Sequence, residues 1–321
     1  MSAESVASAG PILVTGASGY VGGRLARELA GAGAEVGCLA RDPSRLAMPA
    51  GTAVHRADVL DPGSLSAIPP GYKVAYYLIH SMGRGGGGGD YADRDARAAS
   101  NFARYAKETG VEQVIYLGGL GDRAGSPHLQ SRLRTGEILR DEGPSLTWFR
   151  AGMVVGAGSE SFRTLRSLVE RLPVMLAPAW LKTPTQAIAI ADVLRYLIEA
   201  AARHDTRGRE IQIGSAEVLT YGEMLDLMAQ ALGVRKRPRI PVPWLTPWLS
   251  SHWIGLVTPV DAGVARPLIE GLATDTTVSD RSGMGLFDFE PRSFTQALRE
   301  ALAEDAGRTS APGTAPPPAG G

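Results

Sequence analysis

The sequence predicts an α/β protein in which a doubly wound parallel sheet carries a smaller C-terminal lobe. Short apolar runs alternate with helical patterns through the first half of the chain, which is typical of repeated β-α-β units. One of these runs, Val74–Ile79 (VAYYLI), contains no charged residue, as expected of a strand that is covered on both faces of a parallel sheet. Together these observations favour a Rossmann-type sheet.

The first β-α-β unit spans Pro11–Arg41 and contains a glycine-rich turn. The apolar run Ile12–Val14 leads into Thr15-Gly-Ala-Ser-Gly-Tyr-Val-Gly22, and a helical pattern follows. Glycines allow a tight turn and a close approach of backbone to phosphates, and a helix N-terminus attracts a pyrophosphate. The unit predicts dinucleotide binding, with a ligand-free glycine turn as the alternative. The residues of this turn assigned to the cofactor are Gly16, Ser18, Gly19, Tyr20, Val21 and Gly22.

The residue after the second strand decides which cofactor is preferred. An acidic residue there holds the ribose 2′-hydroxyl, whereas an arginine accommodates a 2′-phosphate. The chain has Arg41 at this position, followed by Asp42, and Arg45 lies one turn further. Arg41 predicts that NADP(H) is preferred and that NAD(H) is possible, but Asp42 favours NAD(H) if the strand ends one residue later.

The next elements follow from apolar runs and helix caps. A third strand is predicted over Ala53–Arg56 and a fourth over Val74–Ile79. The glycine run Gly83–Gly89 is interpreted as a solvated linker, with a mobile lid as the alternative, because such a run loses much entropy on ordering. The remaining elements of this half are a helix over Tyr91–Thr109, a strand over Val114–Leu117, a helix from the N-cap Ser126 to Glu142 and a strand over Leu146–Val155.

The second half adds two elements to the sheet and builds the smaller lobe. Its predicted elements are a strand over Thr185–Ile190, a helix with Asp192 as N-cap, a strand over Glu210–Ile213, and a helix opened by the capping box Thr220-x-x-Glu223. The predicted domains are a disordered N-terminus at 1–9, a cofactor domain at 10–155 plus 185–214, a substrate lobe at 156–184 plus 215–303, and a disordered tail at 304–321, which lacks apolar periodicity.

Composition excludes several classes of function. The 321 residues carry 33 basic and 33 acidic side chains, so the chain has no electrostatic footprint for nucleic acid. The one cysteine, Cys38, cannot form an internal disulfide, which favours a reducing cytoplasm. Residues 1–10 lack the basic and apolar regions of a signal peptide, and the five histidines are too scattered to predict a metal site.

Motifs along most of the chain resemble the short-chain dehydrogenase/reductase superfamily, and more closely its atypical NmrA-like, NAD(P)H-binding branch. The superfamily features are the glycine motif, Asp58, Asn101 and TQAIAIADV at Thr185–Val193, and a little-characterised bacterial subgroup is resembled at Tyr77–Gly83, Tyr116–Asp122 and Trp253–Ile269. The resemblance implies that Asp58 meets the adenine amino group, with a turn-capping aspartate as the alternative. Other expected cofactor contacts are Val59, Ile79, His80 and Gly118, close to the carboxyl ends of strands.

The catalytic residues of typical members are replaced here. Their serine after the fifth strand corresponds to Gly118 or Gly119, and their Tyr-x-x-x-Lys corresponds to His128-Leu-Gln-Ser-Arg132. His128 could donate a proton near neutral pH, and Arg132 could anchor a ribose or polarise a carbonyl oxygen; surface helix residues are the alternative. The adjacent arginine would favour neutral histidine. His80 is a third candidate, with a histidine bonded to loop backbone as the alternative.

Three functions remain open at this level. They are a reductase acting on a carbonyl, alkene or quinone-like substrate, a non-catalytic NADP(H)-binding redox or assembly module, and a nucleotide-sugar epimerase, which normally requires the tyrosine. Arg150 is expected to pair with a carboxylate near the rim of the site in a structural role.

An uncharged segment over Ile240–Val260 bears on the substrate. It contains Trp244, Trp248 and Trp253, and its four prolines argue against a membrane span. It is interpreted as core of the small lobe, as a wall of an apolar substrate pocket, or as a surface patch that touches a membrane or partner. A small apolar substrate is therefore expected.

Overall fold

The computed structural model describes residues 9–80, 90–121, 126–242 and 271–310. Its centre is a seven-stranded sheet in the order β11-β6-β5-β4-β1-β2-β3, and every adjacent pair is parallel. The strands are β1 (Ile12–Thr15), β2 (Val36–Ala40), β3 (Ala53–Arg56), β4 (Val74–Tyr77), β5 (Gln113–Gly119), β6 (Ser145–Ala151), β7 (Val154–Val155), β8 (Met175–Ala177), β9 (Pro184–Thr185), β10 (Ile188–Ala189), β11 (Glu210–Ile213), β12 (Leu219–Thr220) and β13 (Arg239–Pro241).

Helices cover both faces of this sheet, which confirms the predicted doubly wound α/β class. The helices are α1 (Tyr20–Gly31), α2 (Pro62–Ser66), α3 (Asp90–Glu108), α4 (Pro127–Glu142), α5 (Glu160–Arg171), α6 (Ile190–Ala201), α7 (Tyr221–Ala231) and α8 (Phe294–Ser310). Leu25 of α1 and Leu197 of α6 are buried on one face, and Phe102 of α3 and Leu139 of α4 are buried on the other.

The order of the strands places a crevice beside the glycine turn. From β1 the chain builds outward through β2 and β3, and it then returns to add β4 on the other side of β1. Ligands of open α/β sheets bind where the strand order reverses in this way, outside the carboxyl ends of the strands. The residues that follow β1, β4 and β5 therefore meet at one edge.

Two predicted strands are shorter than expected. The fourth ends at Tyr77 rather than Ile79, because the Leu78 amide leaves the ladder and donates to Thr15 Oγ1 at 3.2 Å. The sixth ends at Ala151 rather than Val155, because the chain leaves the sheet at Gly152, where an added Cβ would lie 3.0 Å from the Gln186 carbonyl oxygen.

The segment predicted as one strand over Thr185–Ile190 is divided between two small ladders. β9 pairs with β12, and β10 pairs with β7, so neither extends the main sheet. The prediction that Asp192 caps the following helix is also wrong, because Ala189 is the N-cap. The Asp192 side chain is instead buried and accepts hydrogen bonds from Arg292.

A second cluster of buried residues forms beside the sheet. It joins α5, α7 and α8, and Met224 and Met228 are buried in it as the sequence predicts. The capping box of Thr220 and Glu223 is confirmed at the start of α7. In the described ranges, no helix is both long and apolar enough to cross a membrane.

The C-terminal helix corrects the predicted tail. Disorder is expected from residue 304, yet α8 continues to Ser310. Two ion pairs hold this stretch: Glu304 pairs with Arg24 of α1 at 2.5 Å, and Asp305 pairs with Arg166 of α5 at 2.6 Å. Residues 1–8, the Gly83–Gly89 run and 311–321 lie outside the described residues, and the predictions made for them stay predictions.

Candidate cofactor and active site

The glycine turn after β1 is too tight for side chains at two positions. Gly16 has a φ of +70°, and a Cβ there would lie 2.5 Å from the Leu78 carbonyl oxygen. A Cβ at Gly22 would overlap the Gly16 carbonyl, so the first turn of α1 lies directly against the loop. The Gly19 amide donates to the Gly16 carbonyl oxygen at 2.8 Å and closes the turn. Glycine is therefore required by packing at Gly16 and Gly22.

The start of α1 fits a pyrophosphate. Its N-cap is Gly19, which provides no side-chain cap, and the first turn contains no acidic residue. Ser18 and Gly19 are exposed, while Tyr20 and Val21 are half-buried. An uncapped helix N-terminus of this kind presents backbone N–H groups and the positive end of the helix dipole to an anion. The predicted residues thus form a cradle that suits a dinucleotide.

The end of β2 decides the competition between Arg41 and Asp42. The strand ends at Ala40, so Arg41 is the first residue after it, and its side chain is exposed. Asp42 caps a short 3-10 helix: its Oδ1 accepts from the Ser44 hydroxyl at 2.6 Å and from the Ser44 amide at 3.2 Å. These bonds, with the nearby charges of Arg45 and Arg56, lower the Asp42 pKa. The Asp42 carboxylate is thus already engaged by Ser44 and lies near the charges of Arg45 and Arg56.

The loop after β3 is fixed by hydrogen bonds around Asp58. Asp58 Oδ1 accepts from the Leu60 amide at 3.0 Å, which is the turn-capping role. The Val59 side chain is buried, and its carbonyl oxygen accepts from Asn101 Nδ2 at 3.0 Å. The half-buried Asp58 is therefore held in place, and its contact with adenine stays a prediction.

Two histidines meet at the carboxyl ends of β4 and β5. His80, which is exposed, follows β4 and the half-buried Ile79. His128 lies in the first turn of α4, where Ser126 is the N-cap and Pro127 the first helical residue, as the sequence predicts. The two imidazole centroids are 6.3 Å apart. The structure thus brings together two of the three predicted catalytic residues.

His128 is uncharged at neutral pH. Burial, with a smaller effect from the positive charge of Arg132, lowers the pKa of its imidazole to about 3. A neutral imidazole can donate or accept a hydrogen bond, but it carries no additional proton to transfer. The expectation that His128 supplies a proton near neutral pH is therefore not supported by its surroundings.

Arg132 is anchored at the end of β5. Its Nη2 donates to the Leu117 carbonyl oxygen at 3.1 Å, and its own carbonyl oxygen accepts from the Tyr116 hydroxyl at 2.9 Å. Its Nε is buried and has no acceptor among the residues that the structure describes. His128 and Arg132 are both half-buried. Arg132 combines a permanent charge with an unused N–H donor.

Packing explains why glycine replaces the family serine. A Cβ at Gly118 would lie 2.6 Å from Trp148 Nε1, and one at Gly119 would lie 2.8 Å from the Leu129 side chain. Trp148 is buried, and a Cβ at Gly136 of α4 would also overlap its ring. A side chain at Gly118 would therefore overlap the buried Trp148 ring, whereas one at Gly119 would require the end of the Leu129 side chain to move. The sequence contains both Trp148 and the glycines, but only the fold shows that they touch.

The uncharged segment is described only at its start. Ile240 lies in β13 and is 54% exposed, whereas Val242 is buried. Trp244, Trp248 and Trp253 lie outside the described residues, so the three interpretations of this segment stay predictions.

Comparison with known proteins identifies one domain. The family model described as NAD(P)H-binding matches residues 16–151. This match is consistent with the NmrA-like branch. No curated protein sequence matches the chain.

Similar solved structures share the fold at low sequence identity. A triphenylmethane reductase from Citrobacter sp. has a TM-score of 0.73 at 14% identity, over 91% of this chain and 99% of that one. An NADPH-dependent quinone oxidoreductase from Escherichia coli, solved with NADPH, has a TM-score of 0.69 at 17% identity, over 91% and 99%. A nucleoside-diphosphate-sugar epimerase from Staphylococcus aureus has a TM-score of 0.71 at 16% identity, over 90% and 100%.

Proposed function

We propose that this chain, in which residues 16–151 match a family model described as NAD(P)H-binding, is an NADP(H)-dependent oxidoreductase that reduces apolar, conjugated acceptors of the quinone class. The observation that carries the proposal is the site at the end of β5. There an anchored arginine, whose buried Nε–H has no acceptor among the described residues, lies beside a neutral histidine, and a side chain at Gly118 would overlap the buried Trp148 ring.

The turn after β1 would hold the cofactor through its backbone N–H groups. The N-terminus of α1 would bind its pyrophosphate, Asp58 would face the adenine, and Arg41 with Arg45 and Arg56 would surround a 2′-phosphate. A bound NADPH would supply the hydride. The engaged Asp42 supports the preference for NADP(H), because its carboxylate already accepts two bonds from Ser44.

Arg132 sets the kind of acceptor that suits this site. Its guanidinium stabilises negative charge that develops on an acceptor oxygen, but it stays protonated and cannot complete a proton transfer. Hydride addition to a quinone leaves a hydroquinone monoanion, which can take its proton from water. Hydride addition to a simple ketone leaves a far more basic alkoxide, which needs a positioned acid. The residues of the site therefore favour quinones over simple ketones.

The names of two similar proteins support this choice of substrate class. Reduction of a quinone and of a triphenylmethane dye both transfer hydride to a large conjugated acceptor. An epimerase also shares the fold, but the corresponding slot here contains His128 in place of the tyrosine that such enzymes normally use. The epimerase is thus the weaker candidate.

A panel of acceptors tests the proposal. The purified chain is mixed with NADPH and, in separate reactions, a short-chain ubiquinone analogue, a triphenylmethane dye, a cyclic ketone or a UDP-sugar, and the absorbance of NADPH is followed. We expect turnover with the first two and little with the ketone. Tight NADPH binding without turnover across the panel would contradict the proposal and support a non-catalytic module. Conversion of the sugar alone would support an epimerase.

Replacement of Arg41 tests the cofactor preference. Arg41→Ala is expected to weaken NADPH binding by about 10- to 100-fold, because a charge-assisted contact contributes roughly 1.5–3 kcal/mol. NADH binding should change little, since it has no 2′-phosphate. Fluorescence titration of both cofactors against the wild type and the variant measures this. Equal losses for the two cofactors would contradict the assignment of Arg41.

The pH dependence of turnover tests the role of His128. Because the pKa of His128 is about 3, its imidazole is almost entirely neutral between about pH 5.5 and 8. We therefore expect kcat/KM for the quinone to show no inflection due to His128 in this range, and His128→Gln to lower it by less than about tenfold. An inflection near the ordinary histidine pKa that disappears in His128→Gln would identify His128 as the acid.

A further inference from the structure

Arg150 of β6 is a buried cation with three hydrogen-bond acceptors. Its Nε donates to the Gly119 carbonyl oxygen at 3.0 Å, and its Nη2 donates to the Gly121 carbonyl oxygen at 2.7 Å. Its Nη1 pairs with Glu210 of β11 at 2.7 Å, which confirms the expected carboxylate partner. The guanidinium also lies 5.9 Å from the Trp148 ring centroid. Only 8% of Arg150 is exposed, whereas the side chain of Glu210 is 39% exposed.

Arg150 and Arg132 hold alternate carbonyl groups at the end of β5. Arg132 binds the Leu117 carbonyl, and Arg150 binds those of Gly119 and Gly121. This stretch of backbone therefore depends on two arginine side chains in addition to its ladder bonds. A planar guanidinium can bind two carbonyl groups and a carboxylate at fixed angles, which a lysine ammonium cannot reproduce.

The start of α4 packs on the same stretch. The Leu129 side chain lies so close to the two glycines that an added Cβ would be 2.8 Å from it at Gly119 and 2.9 Å at Gly121. Leu129 is flanked in the first turn of α4 by His128 and is followed by Arg132. The position of the backbone at Gly119 and Gly121 thus sets the position of the start of α4, which carries His128 and Arg132.

From these contacts we propose that Arg150 is a positioning residue: it fixes the backbone of residues 119–121, and through Leu129 it sets where His128 and Arg132 lie in the active site. The expected effect of Arg150 on turnover rests on the function proposed above. Its effect on the surroundings of His128 does not depend on turnover. Arg150 itself touches neither cofactor nor acceptor in this scheme.

Arg150→Lys is the direct test, with Glu210→Gln as the matched control. The lysine retains the charge but loses the planar guanidinium that donates to both carbonyl groups. Glu210→Gln keeps that guanidinium and removes only the negative charge of its carboxylate partner. A shift of reacting groups by about 1 Å can cost 100-fold in rate. We therefore expect kcat for quinone reduction to fall about 100-fold in Arg150→Lys with KM for NADPH within about threefold, and Glu210→Gln to stay close to the wild type.

A second measurement follows the His128 ring by NMR across pH, with His128→Gln used to assign its signal. In the wild type and in Glu210→Gln we expect the ring to remain neutral to below pH 5. In Arg150→Lys a loosened turn admits water, and we expect the ring to titrate closer to the ordinary histidine value. This measurement needs no turnover, so an inactive wild type would defeat the proposed function and leave the test of Arg150 intact.

Three outcomes would overturn the role of Arg150. One is an unchanged His128 titration in Arg150→Lys. Another is a Glu210→Gln variant that loses as much kcat as Arg150→Lys, because the ion pair and not the fork would then matter. The third is failure of both Arg150→Lys and Arg150→Gln to fold, measured by circular dichroism, which would assign Arg150 to the stability of the sheet.

Discussion

Gly22→Ala is expected to abolish high-affinity NADPH binding, whereas Gly31→Ala at the other end of α1 is expected to leave it unchanged. The Cβ added at Gly22 would overlap the Gly16 carbonyl oxygen and lie 2.8 Å from its carbon, so the turn must move away from the helix. Forcing one such carbon into close packing typically costs about 1–3 kcal/mol. The dissociation constant should therefore rise by roughly 5- to 150-fold.

Gly31→Ala is a matched control, because it makes the same substitution in the same helix as Gly22→Ala. Gly31 is exposed, and a Cβ there meets no heavy atom within 4 Å. Fluorescence titration with NADPH and thermal unfolding of both variants separate binding from folding. Equal NADPH affinity for Gly22→Ala and the wild type would show that the turn after β1 does not bind the cofactor.

Arg132→Met is expected to lower kcat for the quinone acceptor by about 10²–10³-fold, because it removes a preorganised donor aimed at developing negative charge. Methionine retains the apolar stem of the side chain and loses both the charge and the Nε–H. Arg132→Lys retains the charge and should recover part of the rate. Steady-state kinetics with NADPH and the quinone analogue, with NADPH affinity measured alongside, checks this.

The two Arg132 variants also test whether loss of the hydrogen bond to the Leu117 carbonyl explains the effect. Loss of the Nη2 bond to Leu117 is common to both, so a structural effect alone would lower kcat equally in Arg132→Met and Arg132→Lys. Unchanged kcat in Arg132→Met would remove Arg132 from the chemistry and leave the site without its main electrostatic contribution.

The features that the sequence predicts well depend on near neighbours along the chain. The turn at Gly16–Gly22, the N-cap Ser126 and the capping box of Thr220 are each complete within a few residues, and all are present in the structure. The parallel order of the sheet is predicted equally well, because a repeated β-α-β pattern allows few alternatives.

The features that the sequence does not predict depend on distant partners. Asp192 has the residue type of a helix cap, but its partner Arg292 is 100 residues away and draws it into a buried ion pair. The burial that lowers the His128 pKa most is given by no local pattern, which supplies only the smaller effect of Arg132. The serine position is closed by Trp148, a residue of the next strand. Each error therefore has a tertiary cause.

The ion pair between Arg24 and Glu304 has a consequence for the order of assembly. The two residues are 280 positions apart, and Arg24 belongs to the helix that begins at the glycine turn. At ribosomal speeds of about 5–20 residues per second, α1 emerges on the order of tens of seconds before its partner helix exists. During that interval the nascent sheet can collect its strands, but α1 has no contact with α8. Among the described helices, the last to be made, α8, therefore holds the first, α1, through this ion pair.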